Sequence, residues 1–272
     1  MASMTAAADQ AERKSGLGAF AGGLGIGALG GLIGLGGAEF RLPLLIGAFR
    51  FGALEAVIVN KAMSLIVVAS ALPLRSGTIS FAAMADQWTV IVNLLAGSLL
   101  GAWVGASWAT RLRSETLFRV IAVLLVVIAG ILLVGHNAEG AGHALLGGPA
   151  QMIAGVVAGF GIGVVASLMG VAGGELLIPT LILLFGADVK LAGSLSLAVS
   201  LPTMLVGFAR YSRDSTFIVL LRNRRFVLVM AAGSIAGSFI GAKLLGIVPG
   251  AVLLPALAAI LLISAVKVWR HK

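Results

Sequence analysis

The chain has 272 residues, 60% hydrophobic and 11% charged, with nineteen Lys and Arg, ten Asp and Glu and no cysteine. A soluble domain is roughly 45–50% apolar and 25% charged, so this composition is that of an integral membrane protein. A net charge of +9 on so apolar a chain belongs to loops facing the cytoplasm rather than to nucleic-acid binding. The missing cysteine excludes disulfides, thiolate metal sites and thiol nucleophiles.

Residues 1–15 are polar, include Asp9 and Glu12 and lead into no small-residue cleavage motif, so they are expected to form a cytoplasmic tail rather than a removable signal. The apolar runs that follow are continuous, whereas a barrel strand alternates, and the predicted elements are therefore helices. Crossing the hydrocarbon layer takes about 20 residues. Six stretches answer to that: 56–74, 88–108, 117–135, 196–209, 226–245 and 250–268. Two glycine-dense stretches, 16–37 and 151–171, make further spans. Each leads into a shorter apolar piece, 40–49 and 176–186, which at 1.5 Å per residue covers about half the membrane. These two are predicted half-helices, either crossing or re-entrant.

A shift of 136 residues brings the two halves into ungapped register. Gly23, Gly25, Ile26 and Gly27 fall on Gly159, Gly161, Ile162 and Gly163. Gly34, Gly37, Glu39 and Pro43 fall on Gly170, Gly173, Glu175 and Pro179, and Ser64 falls on Ser200. Gly97, Ser98, Gly101 and Gly105 fall on Gly233, Ser234, Gly237 and Gly241. Many glycines match by chance in such a chain, but Glu and Pro are scarce in it and coincide as well. An internal duplication follows. The expected organisation is the tail at 1–15, a membrane repeat over 16–135, a periplasmic linker over 136–150, a second repeat over 151–269 and a cytoplasmic end at 270–272.

Charge decides the relative orientation, because loops rich in Lys and Arg stay inside. With both termini inside, fifteen of the nineteen basic residues face the cytoplasm; Arg75, Lys190 and Lys243 lie outside, and Arg41 falls within a membrane hairpin. One loop carries Arg75 alone in the first half, and its equivalent carries five arginines from Arg210 to Arg225. Equivalent loops on opposite sides mean an inverted-topology repeat. The rows Gly97/Gly101/Gly105 and Gly233/Gly237/Gly241 are small-xxx-small faces, expected to pack helices within one chain or between chains of a homo-oligomer.

The segments Gly34-Leu35-Gly36-Gly37-Ala38-Glu39-Phe40-Arg41-Leu42-Pro43 and Gly170-Val171-Ala172-Gly173-Gly174-Glu175-Leu176-Leu177-Ile178-Pro179 lie where a long span gives way to a half-helix. Paired glycines with Pro43 or Pro179 close behind predict a helix break. Non-helical backbone at that depth is tolerated only when buried in protein or lining a cavity. Half-helices starting there aim free N–H groups, such as those near Gly36, Gly37, Gly173 and Gly174, at the membrane middle, which suits an anion. Glu39 and Glu175 then have three readings: capping or ion pairing, proton coupling, or polar contact with a substrate. Arg41 is matched by Leu177 in the second half, so the site is expected to be asymmetric, with Arg41 either recognising a negative group or pairing with Glu39. Asn60, Lys61 and Ser64, opposite Ser194, Ser196 and Ser200, are further candidate anion ligands. Each serine alone has the alternative of bonding its own helix, and Lys61 that of snorkelling to headgroups.

His136, Glu139 and His143 match no metal-ligand spacing and read as part of a flexible linker. Neither a Ser-His-Asp set within the membrane nor a phosphate loop can be assembled, so neither an enzyme nor a bound cofactor or metal is expected.

These segments resemble the sulfite exporter TauE/SafE family of bacterial transporters. The resemblance rests on the twin motifs GLGGAEFRLPLL and GVAGGELLIP, on VNKAMSL after the first and on GSLSLAVSLPTMLVGFARY after the second, and extends over about residues 16–270. It implies movement of small organic or inorganic acids, often sulfur-containing ones such as sulfite or sulfonates, across the cytoplasmic membrane. Members that handle thiosulfate through reactive cysteines form a distinct group, and the absence of cysteine argues against that chemistry here. The expectation is an all-α secondary transporter in the bacterial inner membrane, with an anion channel or a non-catalytic subunit of a larger complex as rival readings.

Overall fold

The structure, a computed structural model, describes residues 16–33, 37–75, 84–135, 146–187, 189–244 and 250–270. The expectations for residues 1–15, for Gly36 and for 136–145 of the linker lie outside the described residues. Among these residues all regular structure is helical. The first half holds α1 (Gly16–Ile33), α2 (Ala38–Gly47), α3 (Ala53–Arg75), α4 (Trp88–Ala109) and α5 (Ser114–Gly135). The second holds α6 (Gly148–Met169), α7 (Gly174–Phe185), α8 (Val189–Tyr211), the short α9 (Ile218–Arg222), α10 (Arg224–Leu244) and α11 (Gly250–Trp269). Five of the described helices, α3, α4, α6, α8 and α10, contain stretches long and apolar enough to cross a membrane. The span expected at 196–209 is longer, because Pro202 lies inside α8 without ending it.

The short α9 apart, helices 136 residues apart correspond, and their partners are exchanged between the halves. The first helix of each half packs along the third long helix of the other, α1 on α10 and α6 on α4. The equivalents α3 and α8 touch each other, and so do α5 and α11. Exposed apolar side chains such as Leu100, Val104, Val157, Leu228 and Ile263 cover the outside, as a lipid-facing surface requires.

Glycine makes the exchanged contacts. A Cβ on Gly23 would strike the carbonyl of Met230, and one on its equivalent Gly159 the carbonyl of Leu94. Gly27 and Gly163 meet the carbonyls of Ser234 and Ser98, Gly97 and Gly233 those of Val156 and Phe20, and Gly101 and Gly237 those of Phe160 and Leu24. Every contact recurs at a shift of 136 on both partners. The numbers rise together along each pair, so α1 runs parallel to α10 and α4 parallel to α6. This corrects the oligomer reading of the glycine rows: Gly97, Gly101, Gly105, Gly233 and Gly237 are filled by backbone of the same chain, and Gly241 is buried. Such close approach gives dispersion contacts in lipid, where helices gain no hydrophobic drive to associate.

Equivalent glycines off this seam provide a control, since a Cβ at Gly25 or Gly161 meets nothing within 4 Å. Gly101→Ala and Gly237→Ala are each expected to destabilise the detergent-solubilised protein by about 1–3 kcal/mol through overpacking. Gly25→Ala and Gly161→Ala should leave the thermal midpoint unchanged or raise it. Equal midpoints for the two classes would contradict the seam.

Candidate functional site

Both half-helices begin at a left-handed glycine. Gly37 precedes α2 with φ 70° and Gly173 precedes α7 with φ 82°, a conformation that penalises any residue with a Cβ. A third, Gly170 at φ 67°, ends α6, and a Cβ there would meet the carbonyl of Val57 on α3. At 10 and 12 residues, α2 and α7 are about 15 and 18 Å long. Pro43 and Pro179 need correction as break residues: each is the sixth residue of its half-helix, and the helix runs on past it. Proline's fixed φ suits a helix; it withholds only the N–H that would bond the carbonyl four residues back, here Glu39 or Glu175.

The polar residues of α3 join the two breaks. The Asn60 side-chain amide donates to Ala38 O at 3.0 Å, at the start of α2, and to Met169 O at 3.1 Å, at the end of α6. Its Oδ1 accepts from the Arg41 guanidinium at 3.4 Å, and Ser64 Oγ accepts from the same nitrogen at 3.2 Å. One side chain thus holds both halves and the arginine.

Lys61 is fully buried, and its Nζ donates to Ala166 O at 3.1 Å and Val171 O at 3.3 Å. The last carbonyls of a helix lack intrahelical partners and carry its negative end. The ammonium therefore caps α6, and the snorkelling reading is overturned. Gly207 of α8 lies over this lysine, where a Cβ would come within 3.1 Å of its Cε.

The second-half serines divide. Ser200 Oγ donates to Ala172 O at 2.8 Å, inside the second break, whereas Ser196 Oγ bonds Gly193 O of its own helix at 2.9 Å. Ser194 is buried beside them on α8. Sequence reasoning missed Tyr211, the chain's single tyrosine, whose buried hydroxyl donates to Ser167 O at 2.8 Å and ties the end of α8 to the end of α6. Its one signal was a phenol at the end of an otherwise apolar span.

Glu39 and Glu175 are buried, and none of their four carboxyl oxygens has a hydrogen-bond partner. Neither carboxyl is hydrogen-bonded to Arg41, although the guanidinium, two residues along α2, still acts electrostatically on Glu39. The two carboxyls also approach one another. Gly37, Gly173 and Gly174 are buried at the breaks. At the 136-residue shift Arg41, Asn60 and Lys61 of the first half correspond to Leu177, Ser196 and Leu197. Among the described residues no group of three or more His, Asp or Glu is placed to hold a metal ion.

A protein-family model, described as sulfite exporter TauE/SafE, matches residues 19–268. Among curated proteins and among solved structures, none matches this chain. The match spans both repeats, both breaks and the polar row of α3, and the chain belongs to the sulfite exporter TauE/SafE family.

Proposed function

We propose that this protein is a secondary transporter that moves a small organic or inorganic anion, such as sulfite or a sulfonate, across the bacterial inner membrane. It works by alternating access of two inverted repeats. The observation that carries the reading is the junction of the two breaks: Asn60 ties one to the other, two buried cations stand beside them, and two carboxyls without partners face each other there. The junction suits an anionic cargo. It offers positive charge and hydrogen-bond donors at the ends of half-helices, where a transporter of anions needs them.

Helix directions support the inverted relation. Ser98 meets Thr203 at 2.7 Å and Ser107 meets Arg210 at 2.7 Å, so α4 runs parallel to α8. The equivalents α3 and α8 run against each other: Lys61 lies beside Gly207, while Leu65 and Val68 meet Leu197, Leu201 and Met204. Equivalent helices crossing in opposite directions require a two-fold axis across them, which lies in the membrane plane. The termini, with the Arg210–Arg225 face, are assigned to the cytoplasm by their charge.

In this reading Arg41 and Ser64 bind the anion, assisted by Asn60 and by the backbone around Gly36, Gly37, Gly173 and Gly174. Ser194, Ser196 and Ser200 line the second-half side, and Lys61 sets the shape of the second break. Glu39 and Glu175 act together as the proton site. Holding two buried like charges side by side is costly, so the pair takes up a proton and releases it as an anion arrives or leaves.

Uptake of labelled sulfite, sulfoacetate, thiosulfate and lactate into proteoliposomes, with and without a pH gradient, tests the reading. Saturable uptake with counterflow exchange is expected for at least one of them; flux that neither saturates nor exchanges would favour a channel. Arg41→Ala is expected to weaken anion binding by about tenfold or more, the loss of a charged hydrogen bond, and Arg41→Lys to recover only part of it. Unchanged affinity in both would place recognition elsewhere. Glu39→Gln and Glu175→Gln should each abolish accumulation driven by the pH gradient while exchange survives. Loss of exchange and of thermal stability together would make the carboxyls structural.

A further inference from the structure

Away from the breaks, the ends of α4 and α8 build a cationic site that anion transport does not use. Arg210 and Arg213 both lie over the ring of Trp103, at 5.9 and 5.0 Å from its centroid. Arg210 is held there, its Nε donating to Ser107 Oγ at 2.7 Å and an Nη to Thr110 Oγ1 at 3.5 Å. Arg111 and Arg113 follow at the end of the same helix and are exposed, like Arg213. The nearest acid in sequence, Asp214, turns its Oδ1 to the N–H of Thr216 at 2.9 Å. No described residue forms a salt bridge with either stacked arginine.

Two guanidinium groups on one ring repel each other, and the ring's negative face offsets only part of that. An anion beside them offsets that charge, and phosphate oxygens match the guanidinium fork. What lies beside the arginines narrows the anion further. Leu100, Val104 and Trp108 on α4 and Leu205 on α8 are between 47% and 65% exposed, and Leu100 sits about 10 Å along the helix from Ser107. Charge at the helix ends, an indole at the boundary and an apolar strip beyond it follow the profile of a membrane leaflet.

We propose that Arg210, Arg213 and Trp103 form a binding site for the phosphate of an anionic glycerophospholipid, whose acyl chains lie along Leu100, Val104 and Leu205. The site spans the seam between α4 of the first half and α8 of the second, so an occupying lipid braces the two repeats against each other. It uses no residue of the anion pathway.

The full-length protein in nanodiscs or detergent tests this by native mass spectrometry and thermal unfolding. Phosphatidylglycerol, phosphatidylcholine and inorganic phosphate serve as separate probes. Phosphatidylglycerol is expected to be retained and to raise the midpoint, while phosphatidylcholine and inorganic phosphate do neither. Each arginine near an anionic surface contributes about fivefold to binding, so Arg213→Gln should weaken phosphatidylglycerol retention by about that factor and Arg210→Gln/Arg213→Gln by roughly its square. Among the described residues the Arg213 side chain makes no hydrogen bond, so its single variant stays informative if the double variant fails to fold. Equal retention by wild type and Arg213→Gln would overturn the proposal, as would stabilisation by inorganic phosphate equal to that by the lipid.

Discussion

A helix interrupted inside a membrane leaves carbonyl and N–H groups where no water can reach them, and everything else in this structure depends on how those groups are satisfied. The chain answers with side chains from α3 and α8. Asn60 and Lys61 of α3 reach Met169, Ala166 and Val171 at the second break as well as Ala38 at the first, and Ser200 of α8 covers Ala172. The repair is made across the halves, so the two breaks are held as one unit. Glu39 and Glu175 are the exception: two buried acids are left without donors at the junction. An ionisable group at membrane depth is costly, which makes these two the candidate functional residues of the junction.

The glycine seams solve a different problem. Lipid gives helices no hydrophobic reason to associate, so close packing has to come from backbone approach. Because α1 rides on α10 and α6 on α4, neither half can complete its packing alone.

Much of this was legible in the sequence, and the reasons are specific. Apolar length announces a span, and Gly, Glu and Pro recurring at a fixed shift announce a duplication, since both signals lie along one dimension. Gly37 and Gly173 could be read as breaks because a left-handed turn calls for glycine. The partners could not be read. Carbonyl oxygens such as those of Ala166 and Val171 have no letter of their own, so the cap made by Lys61 was invisible and a snorkelling lysine looked as plausible. Gly97 and Gly101 announced a packing face but not that its partner was α6 of the same chain.

The central claim is that two equivalent halves are inserted in opposite directions, and sidedness tests it without reference to any substrate. Asp86 and Arg222 are exposed, lie 136 residues apart and occupy equivalent connections between long helices. In this cysteine-free chain, Asp86→Cys and Arg222→Cys can be labelled singly with a membrane-impermeant thiol reagent in oriented vesicles. The account requires the two to react from opposite sides. Labelling of both from the same side would contradict it.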